Sequence, residues 1–477
     1  MPARGVVVTV FGRNGKLKSV SSGVSFADGI VLIHGFTLLP FAKEKWFAKI
    51  VNKLGNRPKP VAELGRMVRF EVLEEEDVTA AGYERTAREM VVAGAWNCPV
   101  VGAIPCGRPQ KAQDEAGLRC FPLFLFLTTP GKVLENVEFI LEELVEPVRG
   151  QGVIVESTPF GHVGMINSIS RGVVCRSLEN HPCVFLTDAQ TAPCSNSGPI
   201  YSVDKDGRKG PMIGIVIGPQ INSGGWPGLT LGVALLPVLQ RLTSPGRRRE
   251  REFRQQNGAL SSVMDLVDET IILVQCGKYR GTGVVIDASS GTILTCSHVI
   301  QEERDGILVR HKGRSYSCEL IYKTGDAAGC DLAVIKVSSP HCFTSQMEFA
   351  DSPAKTGEMV FAAGFPLLDE KLESTNDTPL ITLGCVSKTN PFKIQTSCVV
   401  LSGHSGGAII RDGKLLGIIV CNLMYGSQIH PNTNHALPVR VFRHHVEKYL
   451  KDKNVQHLKN LETNDEQVRV FWKSKMS

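Results

Sequence analysis

The sequence predicts an all-β protein of antiparallel barrels or sandwiches, built as two copies of one plan with the first degenerate. Three observations carry this expectation: short β-branched runs bounded by turn formers, an internal repeat in conserved order, and a break in composition between the two copies. The 477 residues suffice for about three domains at roughly 150 residues each, or for two larger ones. Hydrophobic residues at 42% and charged residues at 21% are ordinary for folded protein and exclude wholesale disorder. A formal net charge of +6 over this length is too weak to make nucleic acid an obligatory partner.

The amino terminus holds only a short apolar run, Val6–Val10, before polar residues return. That is too short for a secretory signal core and lacks the Arg/Ser bias of a transit peptide. The longest apolar stretches, Cys120–Leu127 and Leu231–Leu239, are too short or too broken to cross a bilayer, so no membrane partner is expected. A chain kept among reduced thiols is not expected to build a disulfide framework from its 14 cysteines. No C-x-x-C, H-E-x-x-H, G-x-G-x-x-G or P-loop string occurs, so neither a metal site nor a cofactor is expected.

Ile271–Val274, Gly283–Ile286, Leu332–Val337, Met359–Ala363 and Leu415–Val420 read as strands. Helical spacing is clear at Val439, Phe442, Val446 and Leu450 and weaker in Lys132–Pro147. Ser244-Pro245-Gly246, the charge run Arg247–Glu252 and Gln255–Gly258 combine turn formers with nothing to bury. This reads as an interdomain connector, with an acidic partner or a proteolysis site as the alternative. The expected boundaries are therefore a degenerate domain at 1–241, a basic linker at 242–258, an active domain at 259–450 and a tail at 451–477.

The two halves echo each other in order. Ser22-Gly23-Val24 answers Thr282-Gly283-Val284, and Asp28–Leu32 answers Ser290–Leu294. Ser195–Ile200 answers Gly403–Ile409, Gly214–Val216 answers Gly417–Ile419, and Ala234–Val238 answers Ala436–Val439. The first copy then carries an insertion within residues 41–117.

The chemistry centres on Gly403-His404-Ser405-Gly406-Gly407. A serine hydroxyl is a weak nucleophile unless a tight turn exposes it, a base accepts its proton and N–H groups hold the developing oxyanion. Flanking glycines permit such a turn. The N–H groups of Gly403 and Ser405, helped by His404, are the candidate oxyanion hole. In the run Gly291–Ile300 a strand passes into a small-residue turn that ends in His298, where an imidazole at a barrel edge can face a cleft, and Asp331 heads the apolar strand Leu332–Val337. A carboxylate there can fix the imidazole tautomer. Read alone, His298 is an ordinary surface or core histidine and Asp331 a turn residue. The order His, Asp, Ser, spread over two barrels, makes them a candidate triad.

On Thr295–Val299, Asp331–Val334, Gly364-Phe365-Pro366, Ile394–Thr396, Gly403–Gly407 and Ala436–Val439, the second half resembles the chymotrypsin-type serine proteases, most closely their HtrA/Deg branch. The implied fold is two tandem trypsin-like double β-barrel units. The resemblance implies His298 as general base, Asp331 as its orienter, Ser405 as nucleophile, and Thr396–Gly403 as the lining of the specificity pocket. His404 and Ala408 depart from the branch's usual residues. Too few residues follow Leu450 for a PDZ domain.

Two such halves without a PDZ domain resemble the peroxisomal leader peptide-processing protease family over the whole chain. That resemblance implies a peroxisomal endopeptidase for imported matrix precursors, often cutting at a cysteine, with self-processing and homo-oligomers. A general Deg-type quality-control protease and a non-catalytic peptide-binding scaffold are the alternatives.

In the repeat, Phe36 falls opposite His298, Phe121 roughly opposite Asp331, and Ser197 opposite Ser405, so the first half is expected to be catalytically dead. Within the insertion, Cys98 and Cys106 are candidates for self-cleavage; Pro99 hinders a cut after Cys98 and favours Cys106. A plain surface loop is the alternative. Ser474-Lys475-Met476 resembles a peroxisomal address but lies one residue short of Ser477.

Overall fold

Short runs of Val, Ile and Leu pair antiparallel throughout, because β-branched side chains fill one face of a pleated strand while the ladder satisfies the backbone. The computed structural model describes residues 3–79, 82–102, 117–134, 137–178, 181–223, 226–242, 258–301, 306–325, 330–339, 342–367, 378–425 and 428–462. The chain divides into two compact units, Met1–Ile221 with Leu229–Glu252, and Asn222–Gly228 with Phe253–Ser477.

In the first unit, β1 (Arg4–Gly12), β2 (Leu17–Phe26), β3 (Ile30–His34), β4 (Val68–Thr79), β5 (Gly82–Asn97) and β6 (Leu123–Thr128) close one barrel in the order β1-β2-β3-β6-β5-β4. A second barrel uses β7 (Gly152–Ser157), β8 (Ser168–Leu178), β9 (His181–Thr187), β10 (Pro199–Val203), β11 (Lys209–Ser223) and β12 (Trp226–Ala234). The second unit repeats the plan. Its first barrel holds β13 (Ile271–Cys276), β14 (Tyr279–Asp287), β15 (Thr292–Thr295), β16 (Ile307–His311), β17 (Arg314–Lys323) and β18 (Ala333–Val337). Its second holds β19 (Met359–Gly364), β20 (Leu380–Thr389), β21 (Ile394–Thr396), β22 (Ala408–Arg411), β23 (Lys414–Tyr425) and β24 (Gln428–Pro438). All four barrels share one strand order, which makes each unit a double β-barrel of the kind the sequence predicts. Closure removes the exposed edges that an open sheet would present.

The insertion in the first copy is spread over the β3–β4 connection, the strands β4 and β5, and the longer β5–β6 connection. Helices Lys45–Val51 and Ala62–Met67 lie between β3 and β4, and β4 and β5 are longer than β16 and β17. Phe47, Ile50 and Leu64 are buried in the barrel's core cluster, so the helical part has an apolar reason to stay folded.

One expectation needs correction. Lys132–Pro147 is helical only at Glu138–Leu141. Beyond it the backbone pairs with the strand β11, where Val145 N–H donates to Met212 O at 3.0 Å and Met212 N–H to Glu143 O at 3.2 Å. Those tertiary bonds replace the helical ones. Helix Val439–Asp452 is followed by Gln456–Lys459, and Leu458 and Leu461 are buried in the core that holds β15 and β18. The linker residues 243–257, Cys106 and the residues Ser474–Ser477 lie outside the described residues. Among the described residues every cysteine is a free thiol, and no helix is long and apolar enough to cross a membrane.

Candidate active site

Strand register brings the first two residues together. β15 pairs with β18 antiparallel, Thr295 opposite Ala333. The exit of one strand therefore adjoins the entrance of the other, and His298 follows β15 as Asp331 precedes β18. A short 3-10 turn, Ser297–Val299, carries the histidine. Ser297 Oγ donates to Thr324 O at 2.6 Å, while Val299 and Ile300 are buried and anchor the turn. The imidazole remains 42% exposed and the Asp331 side chain 14%. Asp331 accepts twice: from His298 N–H at 3.1 Å and from His298 Nδ1 at 2.6 Å. A carboxylate only accepts, so the proton sits on Nδ1 and Nε2 is left as the basic nitrogen.

Ser405 sits in a turn with no room for side chains around it. Gly403 has φ +96° and Gly406 φ +87°. A Cβ at Gly406 would lie 2.0 Å from Thr282 O, and one at Gly403 2.4 Å from Phe365 O. Only glycine meets both demands. His404 N–H donates to Leu401 O at 3.1 Å, Gly407 N–H to His404 O at 2.8 Å and Gly406 N–H to Ile419 O at 2.8 Å. Among the described residues, the N–H groups of Gly403 and Ser405 donate to nothing. His404, expected as a third oxyanion donor, has its N–H committed to the turn. Ser405 Oγ donates to Val420 O at 3.2 Å.

Thr282, on β14, ties this turn to the other barrel of the same unit. Its N–H donates to Ser405 O at 2.8 Å, and its Oγ1 donates to Gly403 O at 2.8 Å and accepts from Phe365 N–H at 2.9 Å. Gly281 lies between the two chemical segments: a Cβ there would meet Val299 Cγ2 at 2.6 Å and Ser405 O at 2.9 Å. The Thr396–Gly403 segment has Cys398, Val399, Val400 and Leu401 buried. Two asparagines hold it. Asn434 accepts from Thr396 Oγ1 at 2.7 Å and donates to Cys398 O at 2.8 Å, and Asn422 Nδ2 donates to Val400 O at 2.8 Å. Reading the sequence missed Thr282, Asn422 and Asn434. A threonine or asparagine in a strand has no distinguishing spacing, and only pairing reveals its partner.

The first unit has the same scaffold without the chemistry. Ser22 Oγ donates to Cys194 O at 3.2 Å and accepts from Thr158 N–H at 2.9 Å, as Thr282 does with Gly403 and Phe365. Ser197 N–H donates to Val216 O, Gly198 N–H to Ser195 O and Val216 N–H to Gly198 O. These are the bonds that Gly406, Gly407 and Ile419 make in the second unit. Ser197, with φ +68°, therefore occupies the place of Gly406, and Asn196 that of Ser405. This shifts the repeat by one residue from the sequence reading, which placed Ser197 opposite Ser405. The Ser197 Oγ accepts from His34 N–H at 2.8 Å. The barrel register also puts Leu123, not Phe121, opposite Asp331: Leu32 pairs with Phe126 where Leu294 pairs with Val334. Phe36 remains opposite His298.

His34 itself stands where Cys296 stands in the second unit. It is fully buried, its Nε2 bonds Phe121 O at 2.8 Å, and its ring lies 5.1 Å from both Phe36 and Phe124. Burial lowers its pKa from 6.5 to about 4. Cys98 is 1% exposed, its N–H donates to Pro122 O at 2.7 Å, and burial raises its thiol pKa.

A hydroxyl in a glycine-framed turn, a carboxylate-held imidazole and two undonated N–H groups are the parts that acyl transfer uses. Residues 281–418 match the family model described as a trypsin-like peptidase domain, and the chain is a trypsin-like serine endopeptidase. It resembles the peroxisomal leader peptide-processing proteases: the mouse protein is 24% identical over 415 residues, covering 78% of this chain and 69% of that one. The human protein is 24% identical over 359 residues, and the match spans 68% of this chain and 60% of the human relative's length. The Escherichia coli periplasmic pH-dependent serine endoprotease DegQ is 32% identical over 178 residues, 37% of this chain and 36% of DegQ.

Proposed function

We propose that His298, Asp331 and Ser405 form the catalytic triad of a peptidase that removes targeting leader peptides from imported peroxisomal matrix proteins. The 2.6 Å bond between His298 and Asp331 is the observation that supports the chemistry most directly. Ser405 Oγ turns about χ1 from Val420 O to the imidazole, gives its proton to Nε2 and attacks the scissile carbonyl carbon. The carbonyl oxygen, now an oxyanion, is held by the N–H groups of Gly403 and Ser405. The imidazolium, stabilised by Asp331, protonates the leaving amine. Water then cleaves the acyl ester by the same route.

The substrate class rests on similarity to the peroxisomal relatives across most of the chain. Self-cleavage, homo-oligomer formation and peroxisomal residence belong to the same reading, and buried Cys98 leaves Cys106 as the better self-processing candidate. The test is incubation with a panel of matrix precursors and sequencing of the products, with Ser405→Ala and His298→Ala as controls. Defined cuts near the leader, lost in both variants, are expected. Broad degradation of unfolded protein would favour the Deg-type reading suggested by the DegQ similarity. Near-normal turnover in either variant would end the triad assignment.

A further inference from the structure

Cys296 is fully buried directly behind the candidate base, and no step proposed above uses it. Its thiol, one imidazole nitrogen of His298 and one carboxylate oxygen of Asp331 lie within 4.8 Å of one another. Sulfur, nitrogen and oxygen donors from three residues are the donor set that binds a borderline-soft divalent cation, with a further position left open. Linear spacing hides the group, because Asp331 enters it only through the pairing of β15 with β18. The exposed edge of the imidazole provides the way in.

We infer that Cys296, His298 and Asp331 form an inhibitory site for zinc-like divalent cations in the second unit. The inhibitory half rests on the triad reading. On binding, the thiol gives up its proton and its bond to Ile419 O, and His298 Nδ1 gives up the proton it shares with Asp331. Both protons go to solvent. Thiolate and carboxylate together balance the two positive charges, so the cluster carries no net charge. The cation takes the place of the His298–Asp331 hydrogen bond, and the imidazole can no longer be held as a base. The first unit cannot form the site, because Phe36 and Leu123 stand where His298 and Asp331 would be.

The experiment uses the full chain and cobalt(II) as a spectroscopic probe, then zinc. A near-ultraviolet thiolate-to-cobalt band is expected in the wild type and its loss in Cys296→Ser, with Cys296→Ala as a second variant should the first misfold. Fluorophosphonate labelling of Ser405 should slow with zinc and recover with chelator in the wild type. In the variants zinc should have little effect, each protein being compared with its own metal-free rate. No band in the wild type, or an equal band in the folded variants, would overturn the site. A band with no slowing of labelling would overturn inhibition. If metal-free wild type fails to label at all, the triad reading falls while the cobalt band still decides the site.

Discussion

At the scale of single residues, the carboxylate of Asp331 does two jobs: it holds the backbone of His298 and sets the proton on Nδ1. Replacing it with the amide should keep the fold but present the wrong tautomer. Asp331→Asn is expected to lower kcat by about 10,000-fold with an unchanged thermal unfolding midpoint; a small loss would show that the imidazole is oriented by something else. His34 illustrates the opposite fate of a histidine. In the folded first unit it takes up a proton only near about 4, whereas the unfolded chain does so near 6.5. Between those values the unfolded state holds more protons, so stability falls as pH drops through that window. Urea midpoints at about pH 7.5 and about pH 5 should therefore differ more for the wild type than for His34→Gln. Equal differences would mean that His34 is not the group responsible. The repeat sets the two histidines apart in position, with Phe36 and not His34 opposite His298, but not in environment. Burial separates them, and burial is a property of the packed core.

Elements decide what those residues can reach. The β14 strand supplies Thr282, whose three hydrogen bonds clasp the Ser405 turn to a second barrel, and Ser22 keeps two of the same bonds in the first unit. Its survival there marks the clasp as architecture that positions the site. Thr282→Val keeps the shape but leaves Gly403 O and Phe365 N–H without their hydroxyl partner. A loss of about 1–3 kcal/mol in unfolding free energy is expected, with a lower kcat, a KM nearly unchanged and recovery in Thr282→Ser. A KM effect alone would place Thr282 in substrate binding instead. Strand existence was readable from β-branched runs, as at Ile271–Val274 within the strand Ile271–Cys276. The offset between repeats was not readable to the residue. Asn196 and Ser197 could be told apart only by their hydrogen bonds to the strand that follows.

Across the whole molecule, two copies of one plan carry one set of chemical groups. Phe36, Leu123 and Asn196 stand where His298, Asp331 and Ser405 stand in the second unit, and Ser197 Oγ accepts from His34 N–H. A fluorophosphonate should accordingly label Ser405 alone when the intact chain is digested and mapped by mass spectrometry. Label on Ser197 would overturn the account of the first unit.

Order along the chain sufficed to determine the all-β class, the duplication, and the nomination of His298, Asp331 and Ser405. Hydrophobic period, turn residues and glycine spacing are local signals, and each of these conclusions is built from local signals. Only the tertiary structure decided that Cys296 lies beside His298 and Asp331, that Thr282 clasps the Ser405 turn, and that Asn196 takes the place of Ser405 in the first unit. Those facts depend on which strands lie side by side after closure, and barrel closure couples residues that the sequence keeps far apart.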